Sequence, residues 1–467
     1  MARRRKPNER LPQLLEEAGW SGRSLAQAVN ALGGGQGLTL SYDRTSVAHW
    51  VAGSRPRQPV PALVAQAFAE RIGRLVTEAE TGLAPPVRSS DKVLRRVVDD
   101  GDPVRRLVAM TRADADPQHH QALRRLVYEP ALPNVPGRPV HTGPAHRRGE
   151  ERKSVSTGAV TDMATLFFQQ MEAHGGTHAR TALATYLADD GAAALAGAKG
   201  RLQQLALQGE VARATHVLAM MCADSNLHGL AQRYYRTALE LARSAGDSVL
   251  EATVLRAMST QCSRLGHERQ ALAMAQAAMQ VAQHCDLPVV RAFVLAQRAA
   301  AFAGAGARQE ALQDLTSAEH ELSASSGGAL YRFTSYPSAA LRFQEGQTLL
   351  ALGDVSGGIR ALEASVDHRA PEQRRARVLT RARLAHVRLR AGHVETGCRD
   401  YALFLDEVTL LSSRRASTAI CTLQASLTPF RRYRPARTLL ERTADSELAG
   451  TDGHSSCAVN GPRGAGR

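Results

Sequence analysis

Residues 230–239 read LAQRYYRTAL, and the same pattern returns as QALAMAQAAM at 270–279 and as EALQDLTSAE at 310–319. Small residues occupy two matching positions in each copy, at a period of 40 residues: Ala231 and Ala238, Ala271 and Ala278, Ala311 and Ala318. Self-similarity at a fixed period of this length is typical of stacked structural repeats. Because small side chains let neighbouring helices approach closely, the pattern predicts antiparallel helix pairs that pack in series.

Short turns frame these helices and extend the series along the chain. Each turn has a central glycine with one residue on either side: Leu265-Gly266-His267, Ala305-Gly306-Ala307, Leu352-Gly353-Asp354 and Ala391-Gly392-His393. Helical periodicity runs from about 161 to 440, and no strand-like alternation interrupts it. The sequence therefore predicts an all-α solenoid over residues 161–440, which resembles tetratricopeptide (TPR) repeats with lengthened helices.

The first 83 residues follow a different pattern, with four short helical segments separated by turn signals. Asn8, Ser21 and Asp43 can cap the first three helices, because their side-chain oxygens accept bonds from free backbone amides. Glycines mark the predicted ends: Gly19, Gly33-Gly34-Gly35 and Gly53. Apolar residues recur three and four positions apart, with Val47, Trp50 and Val51 inward on the third helix. These signals predict a small N-terminal helix-turn-helix bundle.

The third helix carries the sharpest functional signal. A helix-turn-helix unit places the start of its second helix in the major groove, where Arg, Ser, Thr and His side chains meet base edges and phosphates. Seven residues are predicted to contact DNA: Arg44, Thr45, Ser46 and His49 on that helix, Arg55 and Arg57 just beyond it, and Ser24 near the start of the second helix. The alternative interpretation is a small polar bundle that binds no DNA.

Residues 8–74 resemble the lambda-repressor-like (XRE) helix-turn-helix family, whose third helix combines a polar start, an aliphatic residue, a Trp and a Gly followed by Pro. Four segments are more closely similar to actinomycete negative regulators of differentiation and antibiotic production: PNERL at 7–11, AGWS at 18–21, DRTSV at 43–47 and PRQPVP at 56–61. Members of that group join such a module to TPR-like repeats. The resemblance implies a transcriptional repressor of development or secondary metabolism.

The charge and composition set bounds but do not locate a site. Hydrophobic residues make up 43% and charged residues 22% of the chain, which is ordinary globular usage and excludes a wholly disordered or fibrous protein. The net charge of +15 is spread as +4 over residues 1–83, +5 over 84–160 and +6 over 161–467. The excess positive charge is not concentrated in any one segment, so overall basicity alone does not indicate a nucleic-acid surface.

Catalytic and metal-binding patterns are missing from the sequence. There is no GxGxxG, GxxxxGK[ST], HExxH or GxSxG motif, and the six cysteines include no CxxC pair. His174 and His178 are four residues apart, but Gly175 and Gly176 between them break a helix. The sequence predicts no enzyme activity, no cofactor, no metal site and no disulfide framework.

These signals give a predicted domain order. Residues 1–83 form the helix-turn-helix DNA-binding domain, 84–160 a partly disordered linker with short helices at 93–98 and 104–110, 161–440 the TPR-like repeats, and 441–467 a disordered tail. The apolar runs are too short to span a bilayer, and no apolar stretch follows the basic N-terminus. A cytoplasmic location without membrane contact is therefore expected.

The expected partners follow from the two domains. Double-stranded DNA is the predicted partner of the N-terminal domain, and the repeats are predicted to form a homodimer or to hold a peptide or protein ligand in their groove. The rival hypothesis is a TPR-type protein-interaction adaptor without specific DNA binding. Arginine runs at 374–377 and 431–432 fit either DNA contacts or salt-bridged helix faces, and we favour the latter.

Overall fold

The computed structural model describes residues 7–35, 40–57, 59–72, 76, 78, 80–83, 101–116, 123–131, 155–325, 329–331 and 334–449. Over these ranges the protein is helical, apart from a short antiparallel hairpin of β1 (Ala329–Tyr331) and β2 (Thr334–Ser335). That hairpin departs from the predicted absence of strands. The chain divides into two compact units: the first holds the described residues up to Leu83 with 125–127, and the second holds the other described residues.

The first unit contains α1 (Arg10–Ala18), α2 (Gly22–Gly35), α3 (Arg44–Val51) and α4 (Val60–Ile72). Its core is formed by apolar side chains spaced three and four residues apart, with Leu11, Leu25 and Phe68 completely buried. The predicted cap of α1 is confirmed, because Asn8 Oδ1 accepts the backbone amides of Arg10 and Leu11 at 3.1 and 3.2 Å. Gly19 ends α1 in the left-handed conformation, as predicted.

The end of α2 lies in the predicted glycine run. The three glycines at 33–35 were expected to close this helix, and it ends at Gly35. A Cβ atom on Gly33 would lie 2.3 Å from Leu40 Cδ1, so a larger residue would require the Leu40 side chain to move. The absence of a side chain on Gly33 therefore lets Leu40 pack directly onto the helix.

The second unit begins with α5 (Pro103–Ala115), α6 (Val155–His174), α7 (Arg180–Tyr186), a π-helical turn over Leu187–Gly191 and α8 (Ala192–Ala196). Six helix pairs follow: α9 (Arg201–Asp224) with α10 (His228–Ala245), α11 (Ser248–Arg264) with α12 (Glu268–Ala282), α13 (Pro288–Gly304) with α14 (Arg308–Ala324), α15 (Ser338–Ala351) with α16 (Val355–Asp367), α17 (Arg374–Arg390) with α18 (Val394–Val408), and α19 (Arg414–Leu427) with α20 (Arg434–Ala449). Partners within each pair contact one another, and consecutive pairs pack together.

Three-residue turns connect the helices of the first five pairs. The middle residue of each turn has a positive φ: Asn226, Gly266, Gly306, Gly353 and Gly392. The four glycine turns predicted from the sequence are therefore confirmed. The earliest turn escaped notice because asparagine replaces glycine there, and asparagine is among the few other residues that tolerate the left-handed region.

The predicted small-residue positions lie where helices approach most closely. Ala231, Ala271 and Ala311 are completely buried, as are the three alanines seven residues after them. Glycine takes the first of these positions in the later pairs. A Cβ atom on Gly358 would lie 2.5 Å from Leu350 Cγ, and one on Gly397 would lie 2.8 Å from Leu389 Cγ. The predicted repeat therefore extends through α18.

Two segments assigned to the linker and the tail are helical. Helix α5 confirms the predicted short helix near 104–110, but it belongs to the second unit, and α6 already begins at Val155. Helix α20 continues past 440 because Leu439 and Thr443 are buried against α18 and α19. The predicted helix at 93–98, most of the segment predicted as disordered before Val155, and residues 450–467 lie outside the described residues.

The beginning and end of the helix array contact each other. The Ser412 amide donates to His174 O at 2.7 Å, and the Thr177 amide donates to Ser412 O at 2.9 Å. Asn226 Nδ2 donates to Thr418 Oγ1 at 3.1 Å. Residues near 174–226 therefore lie against residues near 412–418. In the described part of the chain, no helix is both long and apolar enough to cross a bilayer.

Candidate nucleic-acid interface

The start of α3 is fixed by a reciprocal pair of capping bonds. Asp43 Oδ1 accepts the Ser46 amide at 2.8 Å and the Ser46 hydroxyl at 2.7 Å, while the Asp43 amide donates to Ser46 Oγ at 3.4 Å. The bond from the Ser46 amide and the bond from its hydroxyl lower the pKa of the Asp43 carboxyl. Asp43 therefore stays ionised at the positive end of the helix dipole.

A side-chain clamp fixes the residue that precedes this cap. Asn30 Nδ2 donates to Tyr42 O at 2.8 Å, and Asn30 Oδ1 accepts the Tyr42 amide at 2.9 Å. The Tyr42 ring meets Trp50 edge-on, with 5.1 Å between ring centroids. Both Trp50 and Val47 are buried in the core. Helix α3 is therefore held at its entry by α2 and along its inner face by the core.

Helix α2 begins against the first turn of α3. A Cβ atom on Gly22 would lie 3.3 Å from Val47 Cγ1, so the missing side chain allows close approach. Ser21 accepts the Ser24 amide at 3.2 Å, and the two hydroxyl oxygens lie 2.8 Å apart. Ser24, a predicted DNA contact, therefore takes part in capping α2.

The outer face of α3 presents Arg44, Thr45, Ala48 and His49 to solvent. Their spacing of three and four residues places them on one side, opposite the buried Val47 and Trp50. Neither the Arg44 guanidinium nor the His49 ring has a hydrogen-bond partner within the described ranges. The predicted residue Ser46 is only partly exposed, and its hydroxyl is used in the capping box.

Two further arginines follow α3 on the outside of the unit. The chain turns at Gly53, where φ is +98°, and the Ser54 amide donates to His49 O at 2.9 Å. Arg55 and Arg57 are exposed, and their guanidinium groups make no ion pair with any described residue. Such groups can each neutralise a phosphate without breaking an internal contact.

The structure also exposes residues that the sequence reasoning missed. Arg23 and Gln27 are solvent-exposed and lie four residues apart on α2, the helix whose first turn meets α3. The sequence signal was available, because neither position belongs to the apolar pattern of the buried Leu25, Ala26 and Val29. Arginine and glutamine are both common partners of phosphates and base edges.

The described parts of the chain contain no candidate metal-binding site. No three His, Cys, Asp or Glu side chains are grouped there to hold a metal ion. His174 and His178, in the second unit, have ring centroids 5.0 Å apart, but no third ligand joins them. Four thiols, Cys222, Cys262, Cys285 and Cys398, are free and buried.

These observations define a compact helical bundle whose third helix is held by the core, the Asn30 clamp and the Asp43 cap and presents an exposed polar face. Residues 11–84 match the protein family described as the SP15 N-terminal domain. The matched segment spans α1 to α4 and therefore covers the candidate interface. No curated protein matches the chain significantly.

Proposed function

We propose that this protein is a sequence-specific DNA-binding transcriptional regulator, in which α2 and α3 act as a helix-turn-helix. The observation that supports the proposal is the outer face of α3, where Arg44, Thr45 and His49 are exposed while the helix itself is fixed by the Asn30 clamp and the Asp43 cap. A rigid helix with free donors suits the major groove, because base reading requires side chains held in register.

The remaining residues take supporting roles in this proposal. Arg55 and Arg57 neutralise phosphates beyond the end of α3, and Arg23 adds a phosphate contact from α2. Ala48, which lies between the reading side chains, leaves room for close approach to the bases. Ser46 and Ser24 act mainly as capping residues, because their hydroxyl groups are already bonded inside the unit.

The second unit, in this proposal, is a TPR-like domain that dimerises the regulator or senses a ligand. Consecutive helix pairs with buried small residues at fixed positions support the TPR-like assignment. A two-fold dimer would double the DNA contacts on a roughly palindromic operator. The role of repressor of development or secondary metabolism rests on the resemblance to actinomycete regulators.

The test is selection of genomic fragments by the full-length protein at about 150 mM salt, where non-specific binding is weak. We expect a recurrent motif with the wild-type protein, and loss of that motif with Arg44→Ala. Arg10→Ala, which removes an exposed arginine from α1, is the matched control and should keep the motif. Recovery of random fragments by all three proteins would overturn the proposal.

Phosphate contacts call for a separate measurement. Arg57→Ala should weaken binding to every DNA sequence similarly and reduce the slope of log K against log salt by about one. The DNA selection also tests the adaptor hypothesis, because an adaptor would select no DNA motif. A pull-down from a nuclease-treated extract tests it independently, because an adaptor would keep its protein partners there.

A further inference from the structure

Three helices of the second unit converge on the turn between α9 and α10. Arg375 on α17 donates through Nε to Asp224 Oδ1 at 2.9 Å. Asn226 donates to Thr418 on α19 at 3.1 Å. Gln261 Nε2 on α11 donates to His228 O at 2.9 Å. These contacts bring together parts of the chain up to about 190 residues apart.

The carboxylates at this junction are already engaged. Arg375 Nη1 donates to Glu172 Oε1 at 2.8 Å, so this one guanidinium binds both Glu172 and Asp224. The second oxygen of Asp224 accepts the Gly176 amide at 2.8 Å. Burial works against ionisation of Asp224, but Arg375 and the Gly176 amide outweigh it, and the pKa of this carboxyl is lowered. Glu172 and Asp224 therefore both make their direct ion pairs with Arg375.

Two more arginines face the same junction without such partners. Arg264 lies one helical turn after Gln261, and Arg415 lies one helical turn before Thr418. The contacts of Gln261 and Thr418 with the loop between α9 and α10 therefore bring both arginines to the junction. Their guanidinium groups make no hydrogen bond and no ion pair within the described ranges. Arg369, on the same side, has a buried Nε atom without a partner.

The electrostatics show that these groups interact. Burial lowers the pKa of Arg415 strongly, and the positive charges of Arg264 and Arg375 lower it further, while Asp224 and Glu172 act in the opposite direction. Arg264 lies at the solvent-exposed edge of the junction, and its pKa is lowered by desolvation and by the charge of Arg375, while Asp224 opposes this shift. His228, whose buried Nδ1 atom lacks a partner, has its pKa lowered to about 3 by burial and by Arg264 and Arg415. His228 is therefore neutral.

The charges at the junction do not balance. The junction arginine cluster consists of the half-buried Arg369, Arg375 and Arg415 and the exposed Arg264, and the carboxylates that act on it are Glu172 and Asp224. Half-buried guanidinium groups that outnumber their carboxylates favour the binding of an anion. A phosphate monoester carries close to two negative charges at neutral pH, and its oxygens match the planar donor fork of arginine.

We propose that the junction arginine cluster binds the phosphate group of a small phosphorylated metabolite, held mainly by the unpaired guanidinium groups of Arg264 and Arg415. Arg375, fixed by its two carboxylates, forms the floor of the site, and the neutral His228 ring supplies one further polar atom. The site lies wholly within the second unit and is independent of the proposed DNA binding. Its ligand would act as the signal that the TPR-like domain senses.

The test compares thermal unfolding of the full chain in about 10 mM inorganic phosphate and in chloride of equal ionic strength. Wild-type protein should show a higher Tm in phosphate. Arg415→Gln should lose that increase, and its affinity for phosphate by calorimetry should fall about tenfold or more, because it removes a charge-assisted contact. Arg414→Gln is the matched control, since Arg414 is the exposed neighbour and should keep the wild-type response.

Two observations distinguish misfolding from loss of the site: the direction of the stability change in Arg415→Gln and the response of a second variant. Without phosphate, Arg415→Gln should be at least as stable as the wild type, because the substitution relieves repulsion among arginines. Arg264→Gln removes the other unpaired group from a different helix and should lose the phosphate response as well. Equal phosphate responses in the wild type and all three variants, or no response in any, would overturn the proposal.

The source of the phosphate is separated by two further titrations. AMP and ribose 5-phosphate share the phosphate monoester, and both should compete with inorganic phosphate. Tighter binding of AMP would assign the site to a nucleotide, and equal binding would assign it to phosphorylated sugars more broadly. Failure of both to compete, while acidic unphosphorylated peptide binds, would contradict the phosphate assignment.

Discussion

Exposed arginines of the first unit and ion-paired arginines of the second unit have different roles in this protein. In the first unit, Arg44, Arg55 and Arg57 are exposed, and their guanidinium groups have no partner among the described residues. In the second unit, several arginines pair with carboxylates on other helices, whereas Arg264 and Arg415 have no such pair among the described residues. Arg298 binds both oxygens of Asp314 at 2.6 and 2.7 Å, and Arg291 binds both oxygens of Glu321 at 2.8 Å.

The net charge hides this difference, because the parts of the chain carry similar totals. What separates Arg44, Arg55 and Arg57 from Arg291 and Arg298 is whether the guanidinium has a carboxylate partner among the described residues. A paired, buried arginine contributes to the fold, since its removal leaves a buried carboxylate uncompensated. An exposed, unpaired arginine contributes little to stability and remains available to an external anion. Substitutions in the two units should therefore affect different measurements.

The largest effect is expected at the buried pair that attaches α5 to the second unit. Asp114, almost fully buried, accepts from Arg180 and from the Tyr234 hydroxyl at 3.1 Å. Asp114→Asn leaves the Arg180 charge without its counterion and should lower the free energy of unfolding by about 3 to 5 kcal/mol. Far-UV circular dichroism in urea measures the loss, because most helices lie in the second unit.

Asp189→Asn provides the control for that substitution. Asp189 is an exposed aspartate in the same unit, and its change should alter stability by less than about 0.5 kcal/mol. Equal losses for the two variants would mean that the Asp114 pair is not what ties α5 to the helix array.

Buried histidines give the second unit a pH dependence. Burial, together with the nearby positive charge of Arg256, lowers the pKa of His216 to about 4, whereas an unfolded histidine titrates near 6.5. Between pH 6.5 and about 4, His216 is protonated in the unfolded chain but stays neutral in the folded protein. The contribution of neutral His216 is therefore complete above pH 6.5 and is lost as the pH falls towards 4.

This contribution can be isolated by substitution. His216→Gln should flatten the dependence of the urea midpoint on pH, so that the loss between pH 7 and about 4.5 shrinks by roughly 2 to 3 kcal/mol. His284→Gln is the control, because His284 is exposed on the same unit and should leave the wild-type profile unchanged. A profile that is identical for the wild type and both variants would contradict the burial argument.

Local features of the fold could be predicted from the sequence, because a few neighbouring residues determine them. A turn of three residues needs a left-handed residue at its centre, so Gly266 and Gly306 marked the turns in advance. The exposed face of α3 was likewise readable from the spacing of Val47 and Trp50. The predicted DNA contact by Ser46 was less secure, because its hydroxyl turns back to the Asp43 carboxylate in the folded unit.

Features that depend on distant contacts could not be predicted. Arg264 and Arg415 lie on helices far apart in the chain, and only the contact between the beginning and end of the helix array brings both to one turn. The same holds for α5, since nothing near Asp114 indicates that Arg180 and Tyr234 will surround it. The arginine run at 374–377 was interpreted as salt-bridged, and Arg375 and Arg377 do form ion pairs.

A smaller effect on stability is expected at the Asn30 clamp in the first unit. Asn30→Ala removes both partners of the Tyr42 backbone groups and should cost about 1 to 3 kcal/mol. Both tryptophans of the chain, Trp20 and Trp50, lie in this unit, so their fluorescence reports its unfolding alone. Gln13→Ala, at an exposed position on α1, should leave the fluorescence midpoint unchanged. Equal midpoints for all three proteins would remove the clamp from the account of how α3 is positioned.

The smallest effect on stability is expected at Arg44, where the contrast between the units is sharpest. Arg44→Ala breaks no hydrogen bond or ion pair within the described residues and should shift the unfolding free energy by less than about 0.5 kcal/mol. The same substitution should weaken specific DNA binding by about 1 to 3 kcal/mol, because a base contact is lost. Tryptophan fluorescence in urea and a fluorescence-anisotropy titration with the selected operator measure the two quantities on one protein sample. A stability loss as large as the binding loss would place Arg44 with the paired arginines of the second unit, and the distinction between folding and binding arginines would fail where it matters most for the proposed function.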